Sequence, residues 1–82
     1  MTQTINKTVQ ITAMKFGRNV SPYPTRMEFD GQTYQFVDAG LRLTVRRSGA
    51  ISQILTLSDG LREFRLRSDN HGGIWTLLSI SA

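Results

Sequence analysis

The sequence predicts an all-β domain: a small antiparallel meander of about six to seven strands, curled into a barrel or compact sandwich. Three observations carry this. Apolar and polar residues alternate with period two over residues 41–47 and 61–67, the signature of half-buried strands. Two Asp-Gly dipeptides, Asp30-Gly31 and Asp59-Gly60, each lie between such runs, and this is the strongest short-range hairpin signal. The remaining breaks are mostly short, as a meander requires. One competing reading concerns residues 50–59, where Ile51, Ile54, Leu55 and Ser58 fit helical spacing and Gly60 would stop a helix. That reading gives an α+β fold; the β-branched Thr56 and the matching hairpin turns favour a strand.

Taken in order, residues 1–7 are polar and unpatterned, which predicts a frayed terminus of a single domain spanning 1–82. Residues 8–16 alternate through Val9, Ile11 and Ala13, then continue on the opposite parity at Met14 and Phe16. A strand with a bulge near Ala13 places Val9, Ile11, Met14 and Phe16 on one face. Residues 17–24 hold Pro22 and Pro24, which do not fit a central strand. They predict a connecting loop, with Arg18, Asn19 and Tyr23 as its polar and stacking groups. In the hairpin turning at Asp30-Gly31, Phe29 faces Gln32, Met27 faces Tyr34 and Thr25 faces Phe36, so Met27, Phe29, Tyr34 and Phe36 share a core face.

After a break at Asp38-Ala39-Gly40 comes the stretch that carries the functional lead. With Asp59-Gly60 as a two-residue loop, Leu55 faces Phe64 and Gln53 faces Leu66, so Leu55, Leu57, Phe64 and Leu66 line one face. With Ser48-Gly49-Ala50 as a three-residue loop, Leu43 faces Leu55 and Leu41 faces Leu57. The core row is then Leu43, Leu55 and Phe64, flanked by Leu41 and Val45. Arg42, Arg46, Arg65 and Arg67 fall together on the opposite, exposed face, with Glu63 the one carboxylate among them. The polar run of residues 68–73 predicts a turn segment. Residues 74–80 carry apolar side chains on both parities: Ile74, Leu78 and Ile80 on one, Trp75 and Leu77 on the other. Such a strand is covered on both faces, or it presents Trp75 and Leu77 as a contact surface.

Composition narrows the function classes. The chain has 82 residues, a formal net charge of +4 and no cysteine. Eight of its ten basic residues are arginine, the side chain suited to bidentate contact with phosphate or carboxylate. Without cysteine there is no disulfide framework and no thiolate metal site. The absence of an apolar leader pattern and of any apolar run near the roughly 20 residues of a membrane span gives the expectation of a cytoplasmic protein without a membrane partner. His71 is the only histidine, and scattered serines beside it make no nucleophile–base pattern. The carboxylates show no acid–base spacing, and no phosphate-binding glycine loop is present. The sequence therefore predicts no enzyme and no cofactor. It predicts a binding module for an anionic partner such as nucleic acid, with Arg42, Arg46, Arg65 and Arg67 on phosphates and Trp75 stacking on bases. The alternative is a protein-interaction or homo-oligomer module that uses the apolar strand 74–80.

Overall fold

The computed structural model describes residues 1–17, 20–38, 40–69 and 74–82. Among them seven strands follow in chain order: β1 (Thr2–Gly17), β2 (Val20–Phe29), β3 (Gln32–Gln35), β4 (Leu41–Arg47), β5 (Ala50–Ser58), β6 (Glu63–Asp69) and β7 (Ile74–Ser81). All belong to one antiparallel sheet in the order β3-β2-β1-β7-β6-β5-β4. The fold is thus an all-β meander, and residues 50–58 are strand, not helix.

The first and last strands meet in the middle of the sheet. Thr2, Gln3 and Thr4 pair with Ser81, Ile80 and Ser79, so the N-terminal segment is laddered rather than frayed. Its partner lies at the far end of the chain, where no local pattern reveals it. The hydroxyls of Thr2 and Ser81 sit 3.0 Å apart across this ladder. Asn6 takes a positive φ of 56° at a register shift between Thr4 and Lys7, and Ile5, Val9, Ile11 and Met14 all reach the core. A bulge does fall beside Ala13, but Phe16 lies beyond the core and stays 73% exposed.

Residues 20–24 belong to β2, where a loop was expected. β3 covers only Arg26–Phe29 of β2 in the ladder, so the stretch with Pro22 and Pro24 has β1 on one side and a free edge on the other. Proline, lacking an N–H, is tolerated on such an edge. Arg18 and Asn19 lie outside the described residues, and Tyr23 is half-buried against the core. The Asp30-Gly31 turn has both residues at positive φ, 53° and 77°, and the predicted pairs Phe29–Gln32 and Met27–Tyr34 are present.

The sheet does not close into a barrel, and the pairings show why. Followed around the sheet, the antiparallel ladders leave β3 and β4 running in the same sense. Parallel neighbours need a crossover of about a dozen residues or more, whereas only residues 36–40 separate these two. The link instead crosses the open side of the core. The Phe36 N–H donates to the Thr25 carbonyl at 2.9 Å and the Val37 N–H to the Ser58 carbonyl at 2.8 Å. Gly40, at φ 64°, presses onto β5 so closely that a Cβ there would sit 1.7 Å from the Thr56 carbonyl oxygen.

Two loops set the registers that matter for the site. Between β5 and β6 the loop is four residues long: Ser58 pairs with Glu63, Leu57 with Phe64 and Leu55 with Leu66. The Asp59 carboxylate organises it, accepting the Leu61 N–H at 2.9 Å and the Arg62 N–H at 2.8 Å. The pairing differs from the expected one by two residues, so Leu55, Leu57, Phe64 and Leu66 still share the buried face. Between β4 and β5 the loop is two residues, Ser48 and Gly49, at φ 50° and 82°, and Arg47 pairs with Ala50. This differs from the expected register by one residue, and an odd slip turns every side chain over.

The core comprises Met27, Phe36, Leu55, Leu57, Phe64, Leu66, Trp75 and Leu77. Phe64 lies at its centre, its ring 5.2 Å from that of Tyr34 and 5.4 Å from that of Phe36. The Arg62 guanidinium rests over the Tyr34 and Phe64 rings at 5.3 and 5.5 Å. In β7 a register shift at Leu78 against β6 brings Trp75, Leu77 and Ile80 to one side, which resolves the mixed parity of the sequence.

Candidate functional site: the outer face of β4–β6

The one-residue slip of β4 redistributes the residues predicted to form the site. Leu41 pairs with Thr56, Leu43 with Ile54 and Val45 with Ser52. These in turn stand beside Arg65, Arg67 and Asp69 of β6. Leu41, Leu43 and Val45 are therefore on the outer face and not in the core row expected for them. Leu41 is 76% and Leu43 57% exposed. Arg42 and Arg46 pair with Leu55 and Ile51, which puts them on the core side of the sheet, at its rim. The four arginines do not share a face.

Arg42 has a structural task there. Its Nη1 donates to the Gln53 Oε1, and its Nη2 donates to the Pro22 carbonyl at 2.7 Å. It thus straps the β4 edge to β2 across the gap that the short link leaves open. Arg46 is exposed on the same side. Trp75 is only 9% exposed and packs within the core, and Leu77 is wholly buried, so neither forms the contact surface considered for residues 74–80; Ile74, at the start of the strand, is exposed.

What the structure brings together is Arg65 and Arg67 with Arg47, a residue the sequence reading passed over. Ser48-Gly49 was the signal that would have found it, since a Gly at the second position suits a two-residue turn with both φ positive. Two of them, Arg47 and Arg67, line a shallow depression of about 500 Å³ at the hairpin end of β4–β5, and Arg65 follows on the same face, two residues before Arg67 on β6. Val45, Ala50 and Ile54 supply its apolar lining, and Arg47, Arg67 and Asp69 its charged groups. Ser52 donates to Asp69 Oδ1 at 2.7 Å, and Arg67 Nε donates to Asp69 Oδ2 at 3.2 Å. Among the described residues, Arg47 and Arg65 have no carboxylate partner. The face thus offers an apolar strip with net positive charge beside it. That arrangement suits a partner group that is apolar at one end and anionic at the other.

Asp69 and Asp59 both hold their carboxyls below the ordinary value of 3.8. At Asp69 the Ser52 hydroxyl is the largest cause; partial burial opposes it, and Arg67 adds to the lowering. At Asp59 partial burial pushes upward, and the Leu61 and Arg62 amides with the Arg62 guanidinium outweigh it. A carboxyl lowered by folding contributes stability that is complete above its unfolded value and is lost as pH falls through the folded one. The Asp59→Asn, Asp69→Asn double variant is therefore expected to be less stable than the parent at neutral pH and to lose less on acidification below about pH 4. Thermal melts between neutral and strongly acidic pH measure this. Parallel curves for the two proteins would show that these carboxyls do not couple to folding.

No family model, curated protein or solved structure matches the chain. The functional reading accordingly rests on the geometry of this face.

Proposed function

We propose that the protein is a non-catalytic binding module that engages an anionic protein partner through the outer face of β4, β5 and β6. The observation that carries the reading is the exposure of Leu41 and Leu43 beside Arg47 and Arg65, which lack carboxylate partners among the described residues. A contiguous exposed apolar strip with a polar rim marks an interaction surface, and arginine is among the side chains that most often anchor one. What favours a protein over a nucleic acid is the lack of an aromatic platform. Single-stranded nucleic acids are held by stacking as well as charge, and the cross-strand rows of this face carry Leu, Val, Ile, Ala, Thr, Ser, Arg, Asp and Glu with no ring among them.

The test compares two fluorescein-labelled probes by anisotropy at low and moderate salt. One is a peptide of alternating glutamate and valine; the other is an oligothymidine strand. The peptide is expected to bind more tightly than the oligonucleotide. The Leu43→Asp, Arg47→Glu double variant is expected to weaken peptide binding by at least about tenfold, with unchanged far-UV circular dichroism. Oligonucleotide binding that exceeds peptide binding and is abolished by Arg47→Glu with Arg65→Glu would return the face to nucleic acid. Binding of neither probe would remove the reading.

A further inference from the structure

We infer that the partner docks by adding an extended acidic strand to the free edge of β4; this rests on the proposed use of the neighbouring outer face. β4 hydrogen-bonds to β5 alone, at the end of the strand order. In a hairpin closed by two residues, the pair flanking the loop exchanges both bonds, and every second pair after it does the same. Arg47, Val45, Leu43 and Leu41 therefore direct their backbone groups to β5, and Arg42, Thr44 and Arg46 direct theirs to the free edge. Three N–H and three C=O groups are thus aligned for an incoming strand, the arrangement that strand addition uses. The edge carries no proline and no bulge, and its residues are exposed except for the half-buried Val45. Those are the conditions under which an edge pairs with another chain.

Charge selects the occupant. β4 holds Arg42, Arg46 and Arg47 and no acidic residue. Were a second copy to pair in full antiparallel overlap about Thr44, Arg42 would stand opposite Arg46 twice, a destabilising like-charge arrangement. The net charge of +4 adds repulsion between copies. Arg42 is already held by Gln53 and the Pro22 carbonyl, so the charge that selects is Arg46, exposed on the core side; an extended segment with an acidic side chain opposite it meets opposite charge there. Apolar residues at its alternate positions fall beside Leu43 and Val45 on the outer face. The recognised pattern is therefore acidic–apolar alternation in an extended conformation.

The experiment adds the alternating glutamate–valine peptide to the isotopically labelled protein and follows amide hydrogen exchange. The amides of Arg42, Thr44 and Arg46 are expected to slow by at least about tenfold, while those of Leu43 and Val45, already bonded to β5, change little. A peptide N-methylated on the alternate amides that face β4 is expected to lose binding, and one methylated on the opposite edge to keep it. Thr44→Pro, which removes an edge N–H without touching the β5 ladder, is expected to behave as the first methylated peptide does. If Ile54→Asp abolishes binding while both methylated peptides bind as well as the parent, strand addition is overturned and the outer-face reading stands. If the peptide does not bind at all, both fall. A concentration-dependent dimer that Thr44→Pro abolishes would make a second copy the occupant and overturn the acidic-strand assignment.

Discussion

Phe64→Ala is expected to leave the protein largely unfolded at 25 °C. Phe64 is wholly buried and stacks at a tilt or on edge with Tyr34 and Phe36. Removing a buried phenylalanine costs about 3–5 kcal/mol through lost transfer energy and the cavity left behind. Aromatic pairs add roughly 0.5–1.5 kcal/mol each beyond area. A domain of this size holds only about 4–12 kcal/mol in total, at roughly 0.05–0.15 kcal/mol per residue. The loss is also spread across the sheet, because Phe64 connects β6 to Tyr34 of β3 and Phe36 of the link. Urea denaturation with near-ultraviolet circular dichroism measures it. Phe64→Leu, which keeps most of the volume, is expected to fold with a loss of about 1–2 kcal/mol. A cooperative transition for Phe64→Ala within 1 kcal/mol of the parent would show that the ring cluster is not the keystone described.

Gly40→Ala is the second large effect, and it acts through the backbone. The added Cβ would lie 1.7 Å from the Thr56 carbonyl oxygen and 2.7 Å from its carbon. Neither atom belongs to a flexible side chain that can move aside. The positive φ of 64° adds its own cost for any residue with a Cβ. The link must therefore withdraw from β5, which endangers the Val37–Ser58 hydrogen bond and the seating of Phe36. A loss of about 3 kcal/mol or more is expected, above the 1–3 kcal/mol of dihedral strain alone. Gly31→Ala and Gly49→Ala are the controls. Both positions have positive φ, but no atom lies within 4 Å of the added carbon, so each should cost only about 1 kcal/mol. Equal denaturation midpoints for the three variants would refute the close approach at Gly40.

The contrast between two turns explains what the sequence could and could not reveal. At Asp59-Gly60 the true loop is two residues longer than the simplest reading, and every side chain keeps its face. Leu55, Leu57, Phe64 and Leu66 were legible as core for that reason. At Ser48-Gly49 the loop is one residue shorter than expected, and β4 turns over. The alternation of Leu41, Leu43 and Val45 was real, but it marks an outward apolar strip rather than a core row. Local pattern reports period, whereas the choice of face belongs to the turn. Trp75 shows the reverse case: its strand is apolar on both parities, and only the shift at Leu78 decides that the indole packs inward. The β1–β7 ladder could not be read at all, because hydrophobic alternation names strands and does not name their distant neighbours.

That ladder divides the molecule in an unexpected place. β1, β2 and β3 are neighbours both along the chain and in the sheet, and so are β4 to β7. Each group is a run of sequence neighbours, and the seam between them is the centre of the sheet, not its margin. At that seam Thr2 meets Ser81, 79 residues apart. The chain must thus search its longest loop to make its most interior pairing, and topologies dominated by such distant contacts fold slowly, over milliseconds to seconds. Both meanders can zip locally while they wait, each presenting an unsatisfied strand, β1 or β7, to the other. The assembly of this single chain therefore resembles the docking of two subunits held together by the tether of residues 36–40.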